Sequence, residues 1–182
     1  RAMREGRVPL KINCVPVLGV EKQELLDVVE LARYHRVHVR FIEMMPIGLG
    51  SGFPLLREEE LRTFLEKHLG PLAPCDDVPG NGPCRYYAAE GFQGRLGFIS
   101  AVSHQFCDGC NRIRLTADGY LKTCLQYDCG AALKSMLQAG CTDAELEAVI
   151  RKALADKPKG HHFGDQTPFA GREEKGMSQI GG

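Results

Sequence analysis

The sequence predicts an α/β fold that opens on a parallel sheet, and three observations carry that prediction. Residues 9–17, PLKINCVPV, are a run of apolar and β-branched residues of strand length. Residues 21–35 repeat apolar side chains at helical spacing through Leu25, Val28, Val29 and Ala32, with acids in the first turn and Arg33 and His35 near the end. Residues 37–43, VHVRFIE, are a second strand-like run. Strand, helix and strand in this order make a βαβ unit, whose strands lie parallel. Functional groups in such sheets collect at the carboxyl ends of the strands. That end is Glu43-Met44-Met45-Pro46, followed by a Gly-rich loop.

The later elements follow from the same signals. Residues 57–69 read as a helix with Leu61, Phe64, Leu65 and His68 on one face. Residues 70–84 hold four prolines, three glycines and two cysteines and read as a loop or linker. Short β-like segments follow at 85–90, 95–101, 112–116 and 120–125, and Asp118-Gly119 between the last two signals a hairpin. Residues 130–139 and 143–154 read as helices, the second opened by a Thr142–Glu145 capping box. The tail from Lys157 is rich in Gly and Lys and ends Ile180-Gly181-Gly182.

Composition narrows the class. Of 182 residues, 43% are hydrophobic and 25% charged, the balance of a globular domain. No segment approaches the roughly 20 apolar residues that cross a bilayer. Lys and Arg number 23, as do Asp and Glu, so bulk charge points to neither nucleic acid nor membrane. Any anion site must be local. The chain begins at Arg1 without a signal-peptide pattern, which reads as an internal start in a longer protein.

Eight cysteines without a mark of secretion point to metal rather than to disulfides. Cys14, Cys75, Cys84 and Cys141 are scattered. Cys107 and Cys110 stand two residues apart, as a tight turn around one metal centre requires, and Cys124 lies thirteen residues beyond, across the hairpin. Zinc sites close with four protein ligands. A 4Fe-4S cubane held by only three cysteines keeps one iron open for a substrate. Cys129 would complete a zinc ribbon, or is a small core residue. Spacing alone leaves zinc and iron–sulfur open, and His104, three residues before Cys107, reads as structural.

The run Cys107-Asp108-Gly109-Cys110-Asn111-Arg112-Ile113-Arg114-Leu115-Thr116-Ala117-Asp118-Gly119 closely resembles the C-terminal signature of the GTP 3',8-cyclases, radical S-adenosylmethionine enzymes that begin molybdenum cofactor synthesis. Lys11-Ile12-Asn13-Cys14-Val15, Val39-Arg40-Phe41-Ile42-Glu43-Met44-Met45-Pro46 and Gly181-Gly182 resemble further family motifs in family order, over nearly the whole chain. The resemblance implies the C-terminal part of an incomplete (β/α) barrel over residues 1–70. A small β-rich and helical iron–sulfur segment would then fill 71–182. It implies a 4Fe-4S cluster on Cys107, Cys110 and Cys124, with Cys129 a bystander. It implies GTP contacts from Lys11, Arg40, Arg112, Ile113 and Arg114, and contact of Met45 with S-adenosylmethionine. Gly181 and Gly182 would form a tail reaching the active site.

Further expectations come with the family. The parent enzyme is a cytoplasmic, bacterial lyase that turns GTP into (8S)-3',8-cyclo-7,8-dihydroguanosine 5'-triphosphate. It hands its product to a cyclic pyranopterin monophosphate synthase, with a homodimer left open as its assembly. A second 4Fe-4S cluster, on a C-x3-C-x2-C motif, cleaves S-adenosylmethionine in that family. No such motif occurs in this sequence, so the chain alone is expected to be inactive. The rival expectation is a non-catalytic zinc-binding or protein-interaction module on Cys107, Cys110, Cys124 and Cys129.

The residues carry physical weight of their own. Arg112 and Arg114 are two apart and share one face of a strand, where solvent is the ordinary neighbour. Guanidinium forks also suit phosphate oxygens. Arg40 sits inside an apolar strand, so its charge needs a partner: Glu43, another acid, or a ligand phosphate. Lys11 is placed alike. Met44 and Met45 are ordinary core fillers by composition. His161-His162 reads as solvated, and a terminal Gly-Gly has no packing value.

Overall fold

A computed structural model describes residues 9–19, 22–78, 80–163, 173 and 175–180. The chain forms two compact units, Arg1–Met45 with Phe53–Phe106, and Pro46–Gly52 with Cys107–Gly182.

The first unit is built on the expected βαβ unit. β1 (Leu10–Cys14), α1 (Lys22–Tyr34) and β2 (Val37–Ile42) are followed by α2 (Glu58–Leu69), β3 (Ala73–Cys75), β4 (Arg85–Ala88) and β5 (Leu96–Ile99). The sheet order is β1-β2-β5-β4-β3. β2 runs parallel to both β1 and β5, whereas β4 is antiparallel to β5 and to β3. The fold is therefore mixed α/β, and the sheet continues past residue 70 into strands that follow the expected linker. β3 escapes a sequence reading because Pro74 and its loop-like neighbours mask it. Proline is tolerated there because β3 is an edge strand.

Strand alternation decides the core. In β2, Val37, Val39 and Phe41 are buried, while His38, Arg40 and Ile42 are only half-buried. Leu25, Val29 and Ala32 of α1 and Leu61 and Leu65 of α2 pack with Val39, Phe41, Leu96, Phe98 and Tyr87. Phe98 stacks on Phe41 at 5.8 Å and meets Tyr87 edge-on at 5.5 Å. Each such side chain contributes about 1.5–3 kcal/mol on burial. Gly94 lets the chain close this layer, since a Cβ there would stand 1.8 Å from the Val37 carbonyl oxygen.

The second unit is an antiparallel sheet of β6 (Arg114–Leu115), β7 (Tyr120–Lys122) and β8 (Gly130–Ala132) with α3 (Leu133–Gln138) and α4 (Asp143–Ala155). The predicted hairpin joins β6 to β7, with Gly119 at φ +78° and its N–H donating to Thr116 O at 2.9 Å. The capping box of α4 forms as expected, with the Thr142 N–H donating to Glu145 Oε2 at 2.8 Å. Residues 130–132, read as helical from sequence, are a strand. They pair with β7 so closely that a Cβ on Gly130 would stand 1.8 Å from Leu121 O. Among the described residues, no helix is long and apolar enough to cross a membrane.

One buried carboxylate ties three segments of the first unit together. α2 has no side-chain cap of its own. The Glu43 carboxylate accepts the Glu58 N–H at 3.1 Å, and the Val102 and Ser103 N–H groups at 2.9 and 2.8 Å. Glu58, also buried, takes Arg85 Nη2 at 2.6 Å and the Ser100 hydroxyl. Burial pushes the Glu43 carboxyl upward, but the hydrogen bonds from Ser103, Val102 and Glu58 outweigh it and hold it below the usual glutamate range. A carboxylate with a depressed folded pKa stabilises fully above its unfolded value, about 4.3 for Glu. That contribution is lost as pH falls through the lower folded value. Glu43→Gln should be less stable than the parent at neutral pH by about 1–3 kcal/mol. Urea unfolding at decreasing pH should show the gap narrowing, and a gap that stays constant would remove this role from Glu43.

Candidate functional site

The sheet face opposite the helices carries the first group of candidates. β1–β2 register places Lys11 opposite His38 and Asn13 opposite Arg40. Arg40 Nε donates to Asn13 Oδ1 at 2.8 Å. Glu43, one of the three partners the sequence leaves open, lies three residues along the strand, so its side chain is on the other face with Phe41. Burial raises the Tyr86 pKa, with the nearby Cys84 adding and Arg40 opposing. Asn13 is neutral, so its bond positions Arg40 without cancelling its charge.

Lys11 Nζ stands 5.6 Å from the centre of the Tyr86 ring, within cation–π range. His38 meets the same ring edge-on at 6.0 Å. Burial first, then Lys11, lowers the His38 pKa and keeps the imidazole neutral at neutral pH. The face thus presents two cations held around one aromatic ring, a surface suited to an anion. Met45 is half-buried at the end of β2, just past Glu43.

The cysteine turn lies in the second unit. Cys107–Gly109 form a single 3-10 turn, closed by the Cys110 N–H donating to Cys107 O at 3.0 Å. Cys124 follows β7 by two residues, and all three cysteines are half-buried. Burial pushes the Cys107 thiol up. The neighbouring Cys110, Cys124 and Asp108 push it further, against a hydrogen bond from the backbone of His161. Arg114 lies near the same sulfurs. Burial and then Arg112 lower its pKa, and Cys110 and Cys124 oppose them. Arg114 is half-buried; Arg112 and Ile113 are exposed. Lys11 and Arg40 thus belong to one unit, and Arg112 and Arg114 to the other.

Cys129 is placed differently. Its Sγ stands 3.3 Å from Thr123 Oγ1. None of the eight cysteines is in a disulfide. Among the described residues, no three His, Cys, Asp or Glu side chains close tightly enough to hold a single ion.

The far end of the hairpin is anchored by a buried pair. Lys122 and Glu173 have side chains 2% and 3% exposed and share a hydrogen bond, and Lys122 Nζ also donates to Tyr127 O at 2.6 Å. Breaking such a pair typically costs ~3–5 kcal/mol, so the strand end that leads to Cys124 is firmly held. Gln126 accepts the His162 N–H on its side chain and the Glu173 N–H on its carbonyl, both at 2.7 Å. Ile180 is buried; Gly181 and Gly182 lie outside the described residues.

A family model described as Molybdenum Cofactor Synthesis C matches residues 37–163. The chain belongs to that family. It is 38% identical over 178 residues to the GTP 3',8-cyclase of Clostridium perfringens (strain SM101 / Type A), covering 98% of this chain and 54% of that protein. It is 40% identical over 183 residues to the GTP 3',8-cyclase of Moorella thermoacetica, covering 100% and 55%. Against that of Trichodesmium erythraeum it is 41% identical over 185 residues, covering 100% and 56%. The chain spans about half the length of the curated relatives it matches.

In this member of the Molybdenum Cofactor Synthesis C family, several site residues escape a sequence reading. Asn13 lies inside the Lys11–Val15 motif, two residues after Lys11 on one strand face, but nothing in the motif gives it a role; Tyr86 lies in none of the motifs. Lys157, beside Cys110, gives none. Tyr86 and Cys84 fit over the sheet because Gly97 lies beneath them. A Cβ there would be 2.5 Å from Cys84 Sγ and 2.9 Å from the Tyr86 ring. Gly97→Ala should therefore cost about 1–3 kcal/mol through overpacking. The measurement is the urea midpoint, with near-ultraviolet circular dichroism reporting the tyrosine. A variant as stable as the parent, with unchanged dichroism, would mean that the face is looser than this.

Proposed function

We propose that this chain is the substrate-side half of a GTP 3',8-cyclase. In this reading Cys107, Cys110 and Cys124 hold a 4Fe-4S cluster, and Lys11, Arg40, Arg112, Ile113 and Arg114 bind GTP. The observation that supports it most is that Cys110 and Cys124 both lie near enough to act on the Cys107 thiol, while Cys129 contacts Thr123. An all-thiol donor set suits an iron–sulfur cluster. The four-cysteine zinc module would need Cys129 as its fourth ligand, and Cys129 Sγ stands 3.3 Å from Thr123 Oγ1.

When bound, a cubane on three thiolates supplies an open iron that can take a ligand atom. The chain's own side chains would do the rest. Arg112 and Arg114 would offer forked donors to phosphate oxygens. Arg40, fixed by Asn13, and Lys11, beside the Tyr86 ring, would add cations to the nucleotide's charge. Met45 would face S-adenosylmethionine, and Gly181-Gly182 would enter as a side-chain-free tail. The complete protein would convert GTP to (8S)-3',8-cyclo-7,8-dihydroguanosine 5'-triphosphate for the next enzyme of molybdenum cofactor synthesis, a cyclic pyranopterin monophosphate synthase.

Anaerobic reconstitution of the chain with iron and sulfide tests the metal half. The protein should turn brown, with broad visible absorption. Cys107→Ala, Cys110→Ala and Cys124→Ala should each lose most of the iron, and Cys129→Ala should keep it. A colourless protein with stoichiometric zinc that depends on Cys129 would reverse the assignment.

The nucleotide half has its own test. Arg112→Ala or Arg114→Ala removes a charge-assisted contact of ~1.5–3 kcal/mol. GTP affinity of the loaded chain should fall about ten- to hundredfold, with iron content unchanged. Parent-like GTP binding in both variants would remove the arginines from the site.

A further inference from the structure

The segment after α4 packs on the cysteine turn within the same unit. Lys157 stands two residues past the end of α4, and its N–H donates to Leu154 O at 3.3 Å. Its ammonium makes three contacts: Cys110 O at 2.6 Å, Arg112 O at 3.0 Å and Cys110 Sγ at 3.4 Å. An ammonium has three N–H donors and no more, so these acceptors use all of them. Two of the contacts brace the turn's carbonyls. The third places a positive charge on a sulfur. Four residues on, the His161 backbone comes close enough to Cys107 to lower its thiol pKa, against the larger effect of burial. One short segment thus reaches both cysteines of the C-x2-C turn.

We propose that Lys157 and the His161 N–H form the hydrogen-bonding surround of the Cys107–Cys110 turn and set the reduction potential of the iron–sulfur cluster held there. The proposal rests on the cluster assigned under Proposed function. Reduction adds one electron, supplied in the experiment by dithionite, and no bond is made or broken. The added negative charge spreads onto the sulfurs. N–H donors and a cation beside those sulfurs stabilise the reduced form more than the oxidised one, which raises the potential. Lys157 acts here as a positioning and tuning residue: it bonds a ligand of the cluster and not the reacting atoms.

The test is a redox titration of the anaerobically reconstituted chain, followed by the electron paramagnetic resonance signal of the reduced cluster, with iron content measured alongside. Lys157→Met keeps the stem and removes the charge. It should keep its iron, but its reduced-to-oxidised ratio at fixed ambient potential should fall about tenfold, which for one electron is a 59 mV downward shift. Lys157→Arg should recover most of that shift. His161→Pro removes the other donor and should shift the potential the same way by less. An unchanged potential in both Lys157→Met and His161→Pro overturns the proposal and leaves the cluster assignment standing. A parent chain that takes up no iron overturns the cluster assignment, and this proposal with it. Should Lys157→Met lose its fold or its iron, His161→Pro decides: a downward shift supports the proposal, and a parent-like potential ends it.

Discussion

The first unit hangs on the Glu43 carboxylate. It sits at the carboxyl end of β2, where the chain must leave the sheet, and three backbone N–H groups from two distant segments point at it. A buried carboxylate without such donors would shift its pKa upward and neutralise instead. With them it stays ionised, caps α2 and fixes residues 102 and 103. Strand exit, helix start and the loop at residues 102 and 103 therefore share one anchor. This explains why an acid stands in a position whose strand neighbours Val39 and Phe41 are apolar.

Cations in this molecule are treated in two ways. Where a structure must be held, they are paired with acids: Lys122 with Glu173, Arg85 with Glu58, Arg95 with Asp77 at 2.5 Å. In the candidate region of each unit the pattern differs: Arg40 bonds an amide in the first, and Lys157 bonds carbonyls and a sulfur in the second. Neutral partners fix geometry and leave the charge available to act on something else. A zero net charge hides this division, because it is a property of partners and not of composition.

What could be read in the sequence was local. The βαβ unit, the Asp118-Gly119 hairpin and the Thr142 capping box each depend on residues within one element or one turn, and each is found. The partner of Arg40 was not local. Its amide comes from 27 residues away on a neighbouring strand, whereas Glu43, the nearest acid along the chain, lies on the other face of the sheet. β8 failed for a related reason. Gly130-Ala131-Ala132 has no strand propensity, and only pairing with β7 makes it a strand. Lys157 lies 47 residues from Cys110, in a stretch whose composition reads as a solvated tail.

The cysteine turn shows why local legibility stops short of the site. Two thiols two residues apart need only a 3-10 turn, which the motif Cys107-Asp108-Gly109-Cys110 supplies. The third thiol needs the β6–β7 hairpin, whose far strand is anchored through Lys122 and Glu173, 51 residues apart. The carbonyls that the turn turns outward need donors, and these come from beyond α4 through Lys157. The three cysteines are thus placed by three ranges of sequence separation, and only the shortest leaves a motif. The longer two depend on a buried ion pair and on an ammonium whose three donors all have acceptors.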